Sequence, residues 1–319
     1  MIASPPSDEP HTMRCLEVWG GNRAVDNAVV MSGLDAWLYS RPYRNESAGG
    51  DIHYISSCAA GTVTRILVAD VCGHGEVVAD AAHRLGGLTR RYVNFVEQTK
   101  FIEGLNSEFS SFVKAGVFAT AVAATYVGYK DELTVCNAGH PRPLWYRSRT
   151  RTWAFMSDPE DRRGAARAKG VANIPLGIAR PTQYDQFAVK LSTGDLVMLY
   201  TDSLIETKGP DGRRLGEEGL LAIVRQLEVN DAAEFRQALL RLIDRYGAVH
   251  ADDVTLLILR PNGQIPRASI SFMLKFYMRM AVAFVESLRA DGREFPETES
   301  GFFSRLGQLS RDIRRRWPN

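Results

Sequence analysis

The feature that most constrains this chain is a set of apolar, strand-like runs that each begin or end on an aspartate. ILVAD closes on Asp70, VMLYT runs into Asp202, VTLLIL follows Asp252, and DIHYIS opens on Asp51 after Gly49-Gly50. Taking a carboxylate out of water is costly, so an acid at the end of a buried strand calls for a reason. A strand end gives a rigid backbone and still lets the side chain reach the rim of a sheet. Taken singly, each of these acids reads first as a turn cap, since aspartate is common beside strands and turns. Gathered together they would repel one another unless cations neutralised them, and Mg²⁺ or Mn²⁺ prefers carboxylates, carbonyls and water as ligands. Two such ions about 4 Å apart would make a bridging water hydroxide-like near neutral pH, fit for in-line attack on phosphorus without a covalent nucleophile from the protein.

The rest of the sequence sets bounds on partners and compartment. With 319 residues and 45% apolar composition the chain can bury a large core. Its 39 basic and 37 acidic residues are interspersed, so no global charge favours nucleic acid or an anionic membrane. Cys15, Cys58, Cys72 and Cys136 form no CxxC pair, and MIASPPSDEPHTMR lacks the apolar run of a signal peptide. Reduced thiols and a cytoplasmic location are expected.

Local patterns predict an α+β fold. A disordered leader is expected over residues 1–14, then strands in LEVWGG and GLDAWLYSRP separated by the polar GNRAVDN. DIHYISSCAAG and TVTRILVADV read as a hairpin joined at Gly61, its second strand nearly all apolar and so buried. From Glu76 to Lys114 the apolar spacing turns helical through Val77, Ala81, Leu85 and Leu88, then Phe101, Leu105, Phe109 and Phe112, which predicts two helices broken near Gln98 to Phe101. VFATAVAATYVGY and ELTVCNAG form a second hairpin at Lys130-Asp131, with further strands at Phe187–Leu191, Asp195–Tyr200 and Val254–Arg260. Ser157 to Asn173 reads as a polar loop, and Gly219–Gln226 and Ala232–Tyr246 as helices. Hairpins with grouped helices, and no regular strand-helix alternation, favour an α+β layered domain over a doubly wound parallel sheet.

In unbroken order from Arg41 to Arg260 come Arg41-Pro42, Gly49-Gly50-Asp51, DVCGHG from Asp70, FATAV from Phe118, NAGHPRPL from Asn137, PLGI from Pro175, GDLVMLYTDSLIE from Gly194 and DDVTLLIL from Asp252. This collinear set resembles the SpoIIE-type branch of the PPM, or type 2C-like, phosphatases of bacterial signalling. The resemblance implies a four-layer α-β-β-α sandwich of two antiparallel sheets with two Mn²⁺ or Mg²⁺ ions at one end. It further implies that Asp51 and Asp70 hold or bridge the metals, that the Val71 carbonyl adds a ligand, and that Asp202 and Asp252 complete the set, with Asp253 an alternative to Asp252. The implied activity is hydrolysis of phosphoserine or phosphothreonine on a protein such as an anti-sigma-factor antagonist.

The chain departs from the family pattern where Ile52-His53-Tyr54 follows the GGD turn, which makes His53 a candidate neighbour of the metals, and where Ser203 replaces the usual glycine after YTD. YRNESA, ahead of that turn, is longer than is typical. Gly73 and Gly75 suit a tight turn near the metals. His74 is either a general acid for the leaving serine oxygen or a turn-packing residue, and His140 reads as structural. Arg41 and Arg44 are candidates for phosphoryl binding, though each reads first as a solvated surface arginine.

Domain boundaries are expected at residues 15–261 for the phosphatase-like unit and 262–319 for a helical extension with helices at Ser269–Ala290 and Ser300–Arg315. In the first of these helices Phe272, Phe276, Tyr277, Met280 and Phe284 surround a narrow polar stripe, suited to docking on its own domain, a homodimer or a regulatory partner. Lys275, Arg279 and Glu286 interrupt it, so it is not read as a membrane span. Competing functions are a non-catalytic phosphoprotein-binding module of the same fold and a phosphatase of a small metabolite.

Overall fold

The computed structural model describes residues 10–13, 17–58, 62–72, 76–92, 97–112, 116–157, 173–209, 212–245 and 252–264. In chain order the strands are β1 (His11–Thr12), β2 (Val18–Gly21), β3 (Val25–Val30), β4 (Leu34–Arg41), β5 (Asp51–Cys58) and β6 (Val63–Val71). After helices α1 (Glu76–Tyr92) and α2 (Gln98–Phe112) come β7 (Ala119–Val127), β8 (Glu132–Ala138), β9 (Leu144–Arg147), β10 (Thr152–Phe155), β11 (Gln186–Lys190) and β12 (Leu196–Tyr200). The chain then forms α3 (Ser203–Glu206), α4 (Gly216–Val224), α5 (Ala232–Arg245) and β13 (Val254–Pro261).

These strands make two sheets, one ordered β1-β3-β4-β13-β12-β9-β10 and the other β11-β8-β7-β6-β5-β2. Pairing is antiparallel among the described strands except where β1 lies parallel to β3. The expected sandwich is therefore present, and β6 shows why its sequence is a continuous apolar run. Its alternate residues Ile66 and Val68 face the core between the sheets, while Leu67, Ala69 and Val71 face the helical layer. A strand covered on both faces has no polar face to display.

The helical layer on β6 consists of α1 and α2, whose Val78, Ala82, Leu85, Ile102, Leu105 and Phe109 are buried at helical spacing. On the other sheet α4 and α5 bury Leu220, Val224, Phe235 and Leu239. Each fully buried leucine or phenylalanine contributes about 1.5–3 kcal/mol, so both outer layers are firmly attached.

Several elements differ from the sequence expectation. The polar GNRAVDN was read as a separator, yet Val25–Val30 forms β3, with Asp26 pairing with Arg236 of α5 at 2.5 Å. A paired acid on an outer strand face is compatible with the ladder. Within the expected leader, His11–Thr12 pairs with β3 and Met13 is buried, so residues 10–13 are structured. The β9-β10 hairpin was not anticipated, because four-residue strands leave little alternation to read. α4 begins at Gly216, three residues earlier than expected. The predicted C-terminal helices and residues 158–172 of the predicted loop lie outside the described residues. Among the described residues no helix is long and apolar enough to cross a membrane.

Candidate metal centre

Register brings the acids together. Asp51 opens β5 and Asp70 closes the apolar part of β6, and the two stand directly opposite each other in the antiparallel ladder. β12 and β13 are neighbours in the facing sheet, with Asp202 two residues beyond the end of β12 and Asp252 two residues ahead of β13. Antiparallel pairing puts those two acids at one end of that sheet. Both sheets thus deliver acids to one rim.

The electrostatics record this convergence. Burial first, then the charges of Asp202, Asp252, Asp253 and Glu206, push Asp70 up to about 8. Asp202 is pushed up to about 6 by burial and then by Glu206 and Asp252, with the Ser203 backbone N–H and the Arg214 guanidinium pulling the other way. Asp51 is buried and held well above the usual carboxylate range by desolvation, then by Asp70 and Asp253, against the opposing pull of the Thr255 and Thr201 hydroxyls. Thr201 donates its hydroxyl to Asp51 Oδ2 at 2.8 Å, and its Oγ1 accepts the Thr255 N–H at 2.9 Å. This threonine links the two sheets directly beneath the rim.

Adjacent aspartates Asp252 and Asp253 are used differently. Asp253 is buried, and its carboxylate accepts the backbone N–H of Tyr43 at 2.6 Å, of Gly50, and of Asp51 at 3.3 Å. It ties the Gly49-Gly50-Asp51 turn to the start of β13. Gly49 leaves room for it, since a Cβ there would overlap the Asp253 carboxyl group. A Cβ on Gly50 would sit 2.8 Å from the Val71 carbonyl oxygen, so glycine also keeps that oxygen's approach open. Asp252 Oδ1 accepts the Asp253 N–H at 2.8 Å, and its charge acts on both Asp70 and Asp202.

The remaining candidates spread out. His53 is buried two residues along β5 from Asp51, with its ring tilted 53° against Trp19 at 5.8 Å, and burial pushes it down to about 4. It is a neutral imidazole packed on an aromatic neighbour. Ser203 is buried at the start of α3. Arg44 lies over the Tyr43 ring at 5.0 Å, and the Arg41 charge acts on Tyr39. Gly73 and His74 lie outside the described residues. His140 is buried, shares a 2.8 Å hydrogen bond between Nδ1 and Thr120, and is pushed down to about 3 by burial, as a structural histidine should be.

Sequence reasoning missed Thr201, Thr255 and Glu206. Glu206 was legible from spacing, because four residues on from Asp202 in a helix returns to the same face. The threonines were not, since a hydroxyl between two strands carries no periodic mark.

The donor set suits a hard divalent cation: carboxylates and the Val71 carbonyl, gathered where the acids raise one another's proton affinity. Among the described residues, no group of three or more His, Cys, Asp or Glu side chains is already drawn into a metal cage. The residues fit such a cation by chemistry and placement.

Residues 60–262 match the family described as stage II sporulation protein E (SpoIIE). The chain belongs to the SpoIIE family. It is 27% identical over 235 residues to phosphoserine phosphatase RsbU of Bacillus subtilis (strain 168), covering 71% of this chain and 63% of RsbU. This SpoIIE-family chain thus spans less than two thirds of that relative. It shares its fold with the RsbU and RsbW domains of a Mycobacterium tuberculosis protein at TM-score 0.61 and 23% identity, over 83% of this chain and 71% of that one. RsbX in complex with magnesium aligns at TM-score 0.53 and 16% identity, over 74% and 99% of the two chains. The fold is also that of the PP2C phosphatase domain of SpoIIE from Bacillus subtilis, at TM-score 0.57 and 15% identity over 78% of this chain and 64% of that one.

Proposed function

We propose that this SpoIIE-family chain is a metal-dependent protein serine/threonine phosphatase of a bacterial signalling pathway. The observation that carries the reading is the convergence of acids from both sheets on one rim, where burial and mutual repulsion hold Asp70 and Asp202 well above ordinary carboxylates. Asp51, Asp70, Asp202, Asp252 and the Val71 carbonyl would hold two Mg²⁺ or Mn²⁺ ions, with Asp253 assigned to the turn that orients Asp51. When bound, the ions supply charge neutralisation and Lewis acidity that make water nucleophilic near neutral pH.

The chain's own residues orient and exclude. Thr201 fixes the Asp51 carboxylate through Oδ2, and Gly49 and Gly50 let the turn before it close on Asp253 and the Val71 carbonyl. RsbU, a phosphoserine phosphatase, supports a phosphoserine or phosphothreonine protein as substrate. We assign the substrate to the class of phosphorylated anti-sigma-factor antagonists.

The test is Mn²⁺-dependent hydrolysis of an aryl phosphate and of a phosphoserine peptide by wild type and Asp70→Ala. Turnover that needs the metal and falls at least about 1000-fold in the variant is expected. Folded, metal-loaded wild type that hydrolyses neither ester would sink the proposal. A strong preference for small esters over the peptide would shift the substrate to a metabolite.

A further inference from the structure

We infer that His140 is a positioning residue of the metal centre: through Thr120 it holds Asp70 in place on the rim. This deepens the phosphatase reading above and rests on its metal site. The acids there are not anchored alike. Asp51 has the Thr201 hydroxyl on Oδ2, and Asp253 has the N–H groups of its turn. What surrounds the Asp70 carboxyl among the described residues is burial and further acids, with no hydrogen-bond donor. Its placement therefore depends on the strand beside it. Asp70 lies directly opposite Thr120 in the β6-β7 ladder, and residues so paired share a sheet face with Cβ atoms about 4.5–5.5 Å apart. That face is the one between the sheets, because Ile66 and Val68 of β6 and Val122 and Ala124 of β7 carry the same alternation into the central core.

His140 fixes the Thr120 side chain. Its Nδ1 shares a 2.8 Å hydrogen bond with the Thr120 hydroxyl, and the residue is only 5% exposed. The backbone that carries the ring is clamped: Asn137 Oδ1 accepts the His140 N–H at 2.8 Å, and Asn137 Nδ2 donates to the His140 carbonyl at 2.9 Å. Gly139, at φ 69°, makes the turn out of β8, and a Cβ on it would lie 2.6 Å from the Pro175 ring. Two residues beyond the histidine, the Arg142 carbonyl accepts the Tyr200 hydroxyl at 2.9 Å. Tyr200 ends β12 two residues before Asp202. One short segment is thus bonded to the neighbour of Asp70 and to the strand that delivers Asp202. If the imidazole only filled the core, Thr120 could lose its hydroxyl without consequence for metal binding; a brace could not.

The experiment measures Mn²⁺ binding by calorimetry, thermal melts in chelator and phosphoserine-peptide turnover. It compares wild type, Thr120→Val, Thr120→Ser, His140→Leu and the Thr120→Val, His140→Leu double variant. Tyr126→Phe is the control, since Tyr126 lies on the same strand and donates its hydroxyl to Asp131 Oδ1 at 3.0 Å, away from the rim. Removing a group that orients a metal ligand costs about 10- to 100-fold in metal affinity, so Thr120→Val and His140→Leu should each weaken Mn²⁺ binding about 10-fold or more. Thr120→Ser keeps the hydroxyl and should stay within about twofold. The double variant should bind no more weakly than the worse single, because both remove the same bond. Tyr126→Phe should lower the melting temperature and leave Mn²⁺ affinity within about twofold. Wild-type affinity in Thr120→Val, additive losses in the double variant, or an equal loss in Tyr126→Phe overturns the assignment while wild-type turnover still upholds the phosphatase reading. Mn²⁺ binding that weakens in Thr120→Val, in a protein that hydrolyses no phosphoester, upholds the brace and removes the phosphatase reading. Wild type that binds no Mn²⁺ removes both. If His140→Leu melts early, Thr120→Val decides the matter.

Discussion

The two ends of the β12-β13 pair use aspartate in opposite ways. At one end Asp195, only 3% exposed, accepts hydrogen bonds from the Ser192 and Ser148 backbone N–H groups at 3.0 and 2.8 Å, the Ser148 hydroxyl at 2.8 Å and the Trp145 indole at 3.2 Å. Beside it Asp35 is held by Arg260 at 3.2 Å and Asn262 at 2.8 Å. At the other end Asp202 and Asp252 face Asp51 and Asp70 across the mouth of the sandwich, and the strongest charges around Asp70 are other acids. Burial is common to both ends. What separates a carboxylate that holds the fold from one that serves a site is whether its neighbours are donors or further carboxylates.

That contrast is sharpest if both ends are mutated. Asp195→Ala strands several buried donors and should cost about 3–5 kcal/mol of stability while leaving the melting response to Mn²⁺ in place. Asp70→Asn should do the reverse: metal-free protein should gain roughly 2–5 kcal/mol at pH 8, because a raised carboxyl is an energetic burden there, and the Mn²⁺ response should largely vanish. Chemical denaturation with and without chelator measures both. Destabilisation by Asp70→Asn in chelator would break the contrast.

The same opposition appears in pH dependence. In the folded chain Asp70 keeps its proton up to about pH 8, whereas an unfolded carboxyl loses it near 3.8. The native state therefore binds more protons across that window, and metal-free stability falls as pH rises through it. His140 acts with the opposite sign: neutral down to about pH 3 when folded and protonated below 6.5 when unfolded, it makes stability fall on acidification through that range. Each group contributes about 1.4 kcal/mol per pH unit inside its window. Among the described groups Asp70 still has its window open above pH 6.5, so metal-free protein should lose stability from pH 6.5 to 8. Added Mn²⁺ should stabilise more at pH 8 than at 6, since ligands must be deprotonated. A melting temperature in chelator that climbs between pH 6.5 and 8 would contradict this account.

Much of this was legible from residues because periodicity and strand ends are local properties. The β5-β6 hairpin, the two helices after Asp70 and the strands around Asp202 and Asp252 follow from apolar spacing, and the collinear motifs named the family. What stayed hidden depends on partners distant in sequence. VDNAVV reads as polar until Arg236 is known to lie against Asp26. Thr201 is unremarkable until β5 brings Asp51 to its hydroxyl. Glu206 shares the helical face of Asp202, and only the folded chain shows that Arg214 meets it.

The choice between Asp252 and Asp253 could not be made from an Asp-Asp pair, and it yields the smallest and most discriminating test. Asp253 spends its carboxylate on the N–H groups of Tyr43, Gly50 and Asp51, so it behaves like Asp195 although it sits at the acidic end. Asparagine is nearly isosteric and keeps one acceptor oxygen, so Asp253→Asn should lose part of that anchor and about 1 kcal/mol of stability. Its turnover should drop modestly, through a looser Asp51. Asp252→Asn removes a charge that acts on Asp70 and Asp202, so its cost should fall on metal affinity and turnover, with metal-free stability unchanged or higher. Titration of Mn²⁺ against activity in the two variants separates these outcomes. If Asp253→Asn raised the Mn²⁺ requirement more than Asp252→Asn, the roles would have to be exchanged, and the turn over Gly49-Gly50 would need another anchor.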